Sequence, residues 1–126
     1  MENQLWESKN LGISFSYPYG RIYLFRTTLK AIGLPPYYRF LLDPEKRKLA
    51  IERCGFESDG SHQLPEDTSR DCYALKSMDL VRFIYNTCGW DKQFTYRIKG
   101  IAAPDQSMVV FDLASAFLVY EGHFIK

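Results

Sequence analysis

Predicted elements recur in the same order in the two halves of this 126-residue sequence. Each half contains a strand, a short helix that ends at a glycine, and two further strands joined by a proline-containing turn. The first series covers residues 10–54 and the second covers residues 71–121. This order predicts an α+β fold, mostly β, built from two strand–helix–hairpin repeats; the alternative is a chance recurrence within one small α+β domain.

The first half begins with a pattern that is typical of a β-hairpin. Residues 11–16 alternate apolar and small side chains, and the segment 21–25 resumes the alternation after a turn at 17–20 that contains Pro and Gly. A helix should follow, because Thr27 or Thr28 can act as its N-cap. Gly33 and the two prolines after it end this helix.

Strands complete each half. In the first half, strands are predicted at 37–42 and 48–53, on either side of a charged turn. In the second half, a strand at 71–76 precedes a helix that starts at Ser77 and carries apolar residues at helical spacing up to Gly89. Two strands, 95–101 and 108–113, then follow. Residues 114–120 fit either a final helical turn or an edge strand.

The charge is divided unevenly along the chain. Residues 1–54 contain nine Lys and Arg against five acids, whereas residues 55–126 contain seven against ten, and the total is +1. A chain of this balance does not coat nucleic acid by bulk charge alone. Between the basic and the acidic half, residues 55–70 are rich in Gly, Ser, Pro and acids, which predicts a linker or long loop.

The cysteines are odd in number and form no CxxC motif. Cys54, Cys72 and Cys88 are therefore interpreted as small apolar side chains in a reducing environment, the alternatives being a metal site or a reactive thiol. The N-terminal segment does not resemble a signal peptide, and no apolar run approaches the roughly 20 residues that span a bilayer. The sequence thus predicts a cytoplasmic protein without membrane contact.

Motifs of catalysis and cofactor binding are absent from the sequence. His62 and His123 belong to no nucleophilic or metal-binding pattern, and there is no glycine-rich phosphate loop. We therefore expect neither an enzyme nor a cofactor. A small enzyme or ligand-binding domain remains the least supported interpretation.

A family resemblance rests on residues 20–34, GRIYLFRTTLKAIGL. Gly20-Arg21, the alternating strand and the helix ending in Ile32-Gly33-Leu34 resemble the AbrB/MazE/SpoVT family of swapped-hairpin DNA-binding domains. Residues 38–51 are similar to the hairpin that follows in that family. The resemblance covers residues 11–54, and a weaker match covers 71–113, which implies a swapped-hairpin pseudo-dimer within one chain, as in tandem MraZ-like proteins.

The resemblance implies a function as well as a fold. It predicts a protein that binds double-stranded DNA, either a transcriptional regulator or an antitoxin-like regulator, and the edge strands add a homodimer to the expected partners. The candidate DNA contacts are Arg21, Arg26, Lys30, Lys46 and Arg47.

Two observations keep an alternative function open. The second half of the chain is acidic, and Asp71-Cys72 stands where Gly-Arg would be expected in the second repeat. Phe25, where the family usually has proline, is a further departure from the family pattern. The alternative is a protein-interaction module with the same fold and no DNA-binding face, in which the basic residues are ordinary solvated charges.

Overall fold

The computed structural model describes residues 11–120 and 123–124, and within them the strands form one curled antiparallel sheet, a half-barrel, with two helices. The predicted class, α+β and mostly β, is confirmed. The strands are β1 (Leu11–Ser16), β2 (Arg21–Phe25), β3 (Tyr37–Asp43), β4 (Lys48–Arg53), β5 (His62–Gln63), β6 (Cys72–Lys76), β7 (Thr95–Ala103), β8 (Met108–Asp112), β9 (Phe117–Tyr120) and β10 (His123–Phe124). The helices are α1 (Arg26–Ala31) and α2 (Met78–Cys88), and short 3₁₀ turns cover Pro104–Gln106 and Leu113–Ser115.

The sheet has the strand order β5-β3-β4-β8-β7-β1-β2-β6; in addition, β9 pairs with β7, and β10 pairs with β9. The long strand β7 changes partner at Gly100, which pairs with Leu11 of β1 on one side and Phe111 of β8 on the other. A Cβ atom on Gly100 would lie 2.6 Å from Val109 Cγ1 and 2.7 Å from Phe111 Cε1. Glycine is therefore required where these three strands meet.

The core lies between the sheet and the two helices. Alternate strand residues are fully buried, as the period of two predicts, and they pack against Leu29 of α1 and Val81 and Ile84 of α2. The inward-facing strand residues are Ile13, Phe15, Ile22, Leu24, Leu49, Ile51, Ile98, Val109 and Phe111.

The Tyr85 side chain anchors α2 to the sheet. Its ring packs edge-on against Trp90 at 5.3 Å and Tyr96 at 5.6 Å between centroids. Its hydroxyl lies 2.9 Å from the carbonyl oxygen of Phe15 and 2.5 Å from that of Phe94, and it accepts a hydrogen bond from the Tyr17 amide at 3.3 Å. Burial raises the pKa of Tyr85.

The helix starts differ from the sequence prediction. The N-cap of α1 is Phe25, because the helix follows directly on β2, and neither threonine caps it. Instead, Thr28 Oγ1 donates to the Gly12 carbonyl and accepts from the Gly12 amide, both at 2.8 Å, and so fastens α1 to β1. Ser77 is the N-cap of α2, but its side chain makes no capping hydrogen bond.

The segment 55–70, predicted as a linker, contributes to the sheet. It contains β5, which pairs with β3, and the buried Leu64, whose amide donates to the Pro36 carbonyl at 2.8 Å. His62 lies against the rings of Tyr38 and Phe40, at 5.6 and 5.5 Å between centroids. Burial lowers the pKa of His62 and raises that of Tyr38 to about 12.

Backbone hydrogen bonds between the halves occur at matching places. Around β2 and β6, the Ser77 amide donates to the Gly20 carbonyl at 2.9 Å, and the Arg26 amide donates to the Asp71 carbonyl at 2.8 Å. Each of these bonds joins the residue after one strand to the residue before the other.

The two hairpins are joined in the same reciprocal way. The Arg53 amide donates to the Ser107 carbonyl at 3.2 Å, and the Leu113 amide donates to the Arg47 carbonyl at 2.9 Å. Both acceptor residues end a hairpin turn and have a left-handed backbone, with φ of 52° at Arg47 and 54° at Ser107.

Candidate nucleic-acid interface

On the sheet face opposite the helices, the strands β6, β2 and β7 carry positive charges, and the uncharged strand β1 lies between β2 and β7. Arg21 of β2 stands directly across from Lys76 of β6, and both side chains are exposed. On β7, the half-buried Arg97 pairs with Ser14 and the exposed Lys99 pairs with Gly12. We call Arg21, Lys76, Arg97 and Lys99 the basic face.

Acidic residues do not interrupt this face. We consider the described residues of β6, β2, β1 and β7, the last as far as residue 100. Those on this face of the sheet include four cations and no carboxylate. Two acids lie at its border: Asp112 of β8 is level with Lys99, and Asp71, just before β6, lines a small pocket with Phe25, Cys72 and Arg97. The local field is therefore positive although the whole chain is close to neutral.

A groove of about 330 Å³ runs across the centre of the basic face. The Nε atom of Arg97 donates to Ser14 Oγ at 2.9 Å, and its Cζ atom lies 4.8 Å from the centroid of the Phe25 ring. These contacts fix the plane of the guanidinium. Tyr23 and Thr95 add hydroxyl groups to the wall of the groove.

The structure brings only one of the five predicted DNA contacts to this face, namely Arg21. Arg26 lies at the other end of β2, five residues and about 16 Å along the strand, where its Nε donates to the Thr68 carbonyl at 2.5 Å. Lys30 is exposed in the last turn of α1, where a cation interacts favourably with the helix dipole.

Lys46 and Arg47 lie in the β3–β4 turn, away from Arg21. The Lys46 amide donates to Asp43 Oδ1 at 3.3 Å within the turn. Arg47 is close enough to Cys88, at the end of α2, to oppose the rise in the Cys88 pKa that burial causes. The two residues therefore form a charged turn that is separate from the basic face.

Three residues of the basic face were not among the predicted contacts. Arg97 and Lys99 occupy alternate positions of the segment TYRIKGI, and Lys76 ends its strand. Their spacing of two places Arg97 and Lys99 on one face of a strand. The sequence, however, does not show that β6 and β7 lie on either side of the β1–β2 hairpin.

The thiols do not form a site. No disulfide joins Cys54, Cys72 and Cys88; Cys72 is exposed and the other two are half-buried, so the interpretation as small buried apolar side chains is wrong for Cys72. Within residues 11–120 and 123–124, no group of three or more His, Cys, Asp or Glu side chains is placed to hold a metal ion.

Comparisons of the chain with protein-family models, with curated proteins and with solved structures found no match. In the part of the chain that the structure describes, no helix has the length and apolar character needed to cross a membrane.

Proposed function

We propose that this protein binds double-stranded DNA through the basic face. The observation that carries the proposal is the Arg21–Lys76 pair, two cations directly opposite each other in neighbouring strands. Like charges in this position destabilise a sheet. Binding of a phosphate backbone neutralises both charges and relieves the repulsion, which makes the arrangement useful to a protein that binds a polyanion.

The spacing of the cations suits a duplex. Lys76 and Lys99 lie on the outer strands of the group β6-β2-β1-β7, about 14 Å apart across three strand spacings and about 13 Å apart along the strands, because Lys76 is level with Ser16 and Lys99 with Gly12. The two positions are therefore about 20 Å apart. The major groove of B-form DNA is about 12 Å wide, so two lysines at this larger separation lie beyond its two edges, where the phosphates are. Tyr23 and Arg97, between them, then face the groove and the base edges.

We infer further that the chain is an internal duplication with a swapped-hairpin arrangement. The reciprocal hydrogen bonds at Gly20 and Asp71 and at Arg47 and Ser107 support this inference. So does the antiparallel pairing of β2 with β6 and of β4 with β8, in which equivalent strands meet. The family resemblance then supports a role as a transcriptional or antitoxin-like regulator.

The duplication also explains why one basic face is expected. When Gly20 is matched to Asp71, Arg21 corresponds to Cys72 and Lys76 corresponds to Phe25. The second repeat therefore has no equivalent of the Gly20-Arg21 motif and of the DNA contact proposed for Arg21. Its own contributions are Lys76, Arg97 and Lys99.

A charge reversal at Lys76 separates this function from a structural role. Lys76→Glu turns the repulsive pair with Arg21 into an attractive one, and should raise the free energy of unfolding by about 0.2–1 kcal/mol. The same change should weaken binding to a mixed-sequence duplex by roughly tenfold or more, because it removes one phosphate contact and adds a repulsion.

The matched control is Lys46→Glu, which reverses an exposed lysine in the β3–β4 turn. Duplex binding is followed by fluorescence anisotropy at low salt, and stability by urea unfolding. Binding that Lys76→Glu leaves unchanged, or that both variants weaken equally, contradicts the proposal.

The alternative function, a protein-interaction module, is favoured by one observation. An apolar row that includes the exposed Leu41 and Ile101 crosses the other end of the same sheet face. If the protein does not bind a duplex at low salt, this alternative becomes the better conclusion.

A further inference from the structure

An apolar row runs across four neighbouring strands on the face that carries the basic residues. Leu41 of β3 pairs with Ala50 of β4, which pairs with Val110 of β8, which in turn pairs with Ile101 of β7. We call these four residues the apolar row. Ile101 is 75% exposed and Leu41 is 38% exposed, and a shallow cavity of about 200 Å³ opens beside Leu41 and Ala50.

Charged residues flank the apolar row in an alternating order. On one side, Asp43 pairs with Lys48, which pairs with Asp112 and forms an ion pair with it at 3.5 Å. Lys99 continues this flank on β7. Because Gly100 pairs with Phe111 in antiparallel register, Lys99 is level with Asp112. The sequence of charges across the four strands is therefore negative, positive, negative, positive.

The other flank is less charged. Arg39 pairs with Glu52 and donates to its Oε1 at 2.9 Å. This flank continues with Met108 of β8 and Ala103 of β7. The apolar row is thus bordered by compensated charges on one side and by an ion pair and two apolar side chains on the other.

We propose that the apolar row is the docking surface for a second copy of this chain. We place the two sheets face to face, related by a two-fold axis that is parallel to the strands. This axis reverses the strand order of the second copy, so that Asp43 faces the second copy's Lys99 and Lys48 faces its Asp112. The same axis places Leu41 against the second copy's Ile101. The surface is therefore complementary to itself, in charge and in apolar character, as an isologous interface requires.

This interface leaves Arg21, Lys76 and Arg97 of the basic face accessible and shares only Lys99 with it. The apolar row involves β3, β4, β8 and the end of β7, whereas Arg21 and Lys76 lie on β2 and β6 at the other end of the sheet. The second copy therefore sits on the face of the sheet and not on an edge strand. The inference does not depend on DNA binding, and its test does not involve DNA.

Sedimentation equilibrium of the full chain over a range of concentrations tests the proposal. The wild-type protein should show a monomer–dimer equilibrium, and Ile101→Glu should raise the dimer dissociation constant by at least about tenfold, because it places a carboxylate against the apolar side chain of the second copy's Leu41. Phe83→Glu is the matched control: Phe83 is 48% exposed on α2, outside the row, and its variant should dimerise as the wild type does.

A milder variant keeps the test valid if Ile101→Glu unfolds. Ile101→Thr retains a β-branched side chain, and thermal unfolding monitored by circular dichroism confirms that the variant is folded. It should weaken the dimer while leaving the monomer fold intact. A wild-type protein that is monomeric at every concentration, or a dimer that neither Ile101 variant weakens, overturns the proposal.

Discussion

Replacing Tyr85 by phenylalanine removes a single buried oxygen atom that serves three backbone groups. The hydroxyl proton is shared between the carbonyl oxygens of Phe15 and Phe94, and the oxygen accepts from the Tyr17 amide. The ring contacts with Trp90 and Tyr96 do not involve this atom and remain in the variant. The change therefore isolates the hydrogen bonds from the apolar packing of α2 on the sheet.

The expected loss follows from the groups that are left without a partner. A buried polar group whose partner is removed costs about 1–3 kcal/mol, and the cavity left by one oxygen adds little. Tyr17 is only half-buried, so water can replace the hydroxyl at its amide more readily than at the carbonyl of Phe15. We therefore expect Tyr85→Phe to lower the free energy of unfolding by about 2–3 kcal/mol.

Urea unfolding followed by tryptophan fluorescence measures this loss. Tyr19→Phe is the control, because Tyr19 is 67% exposed and its variant should stay within about 0.5 kcal/mol of the wild type. The slope of the free energy against urea should be the same in all three proteins. A Tyr85→Phe variant as stable as the control refutes the role assigned to the hydroxyl.

Three further predictions concern the packing and the pH dependence. Gly100→Ala should destabilise the protein by about 1–3 kcal/mol through overpacking against Val109 and Phe111, and a thermal melt unchanged from wild type would contradict this. Burial lowers the pKa of His62, so the imidazole binds a proton more tightly in the unfolded chain than in the folded one. The free energy of unfolding should therefore fall as the pH drops from about 7 to 5. In urea unfolding, His62→Phe should make the free energy depend less on pH over this range. Because burial raises the pKa of Tyr38 to about 12, the unfolded chain releases the phenol proton first, and stability should fall as the pH rises above about 10; Tyr38→Phe should reduce this loss.

The local elements of this fold follow from local patterns. The strand at 21–25 and the helix at 78–88 were predicted because apolar residues recur there with periods of two and of 3.6. The capping role expected for Thr27 or Thr28 was wrong. The hydroxyl of Thr28 is bonded to Gly12, a residue 16 positions away, and no local pattern shows that contact.

The candidate site depends on pairings that a single sequence does not show. Ser14 and Arg97 are 83 residues apart in the chain but are hydrogen-bonded on the basic face. Arg21 was predicted because of its place in the Gly-Arg motif, whereas Lys76, its neighbour across β2 and β6, carries no motif. Prediction from motifs therefore found one member of the basic face, and the strand order supplies the others.

The salt dependence of duplex binding tests the central claim most directly. If Arg21, Lys76 and Lys99 contact phosphates while Arg97 faces the base edges, a plot of log K against log salt concentration for the wild type should have a slope of about −2.7, or about −0.9 per phosphate. Arg21→Ala and Lys76→Ala should each flatten the slope by about 0.9, and Lys46→Ala should leave it unchanged. Binding with no salt dependence, or a slope that only Lys46→Ala changes, would contradict DNA recognition by the basic face.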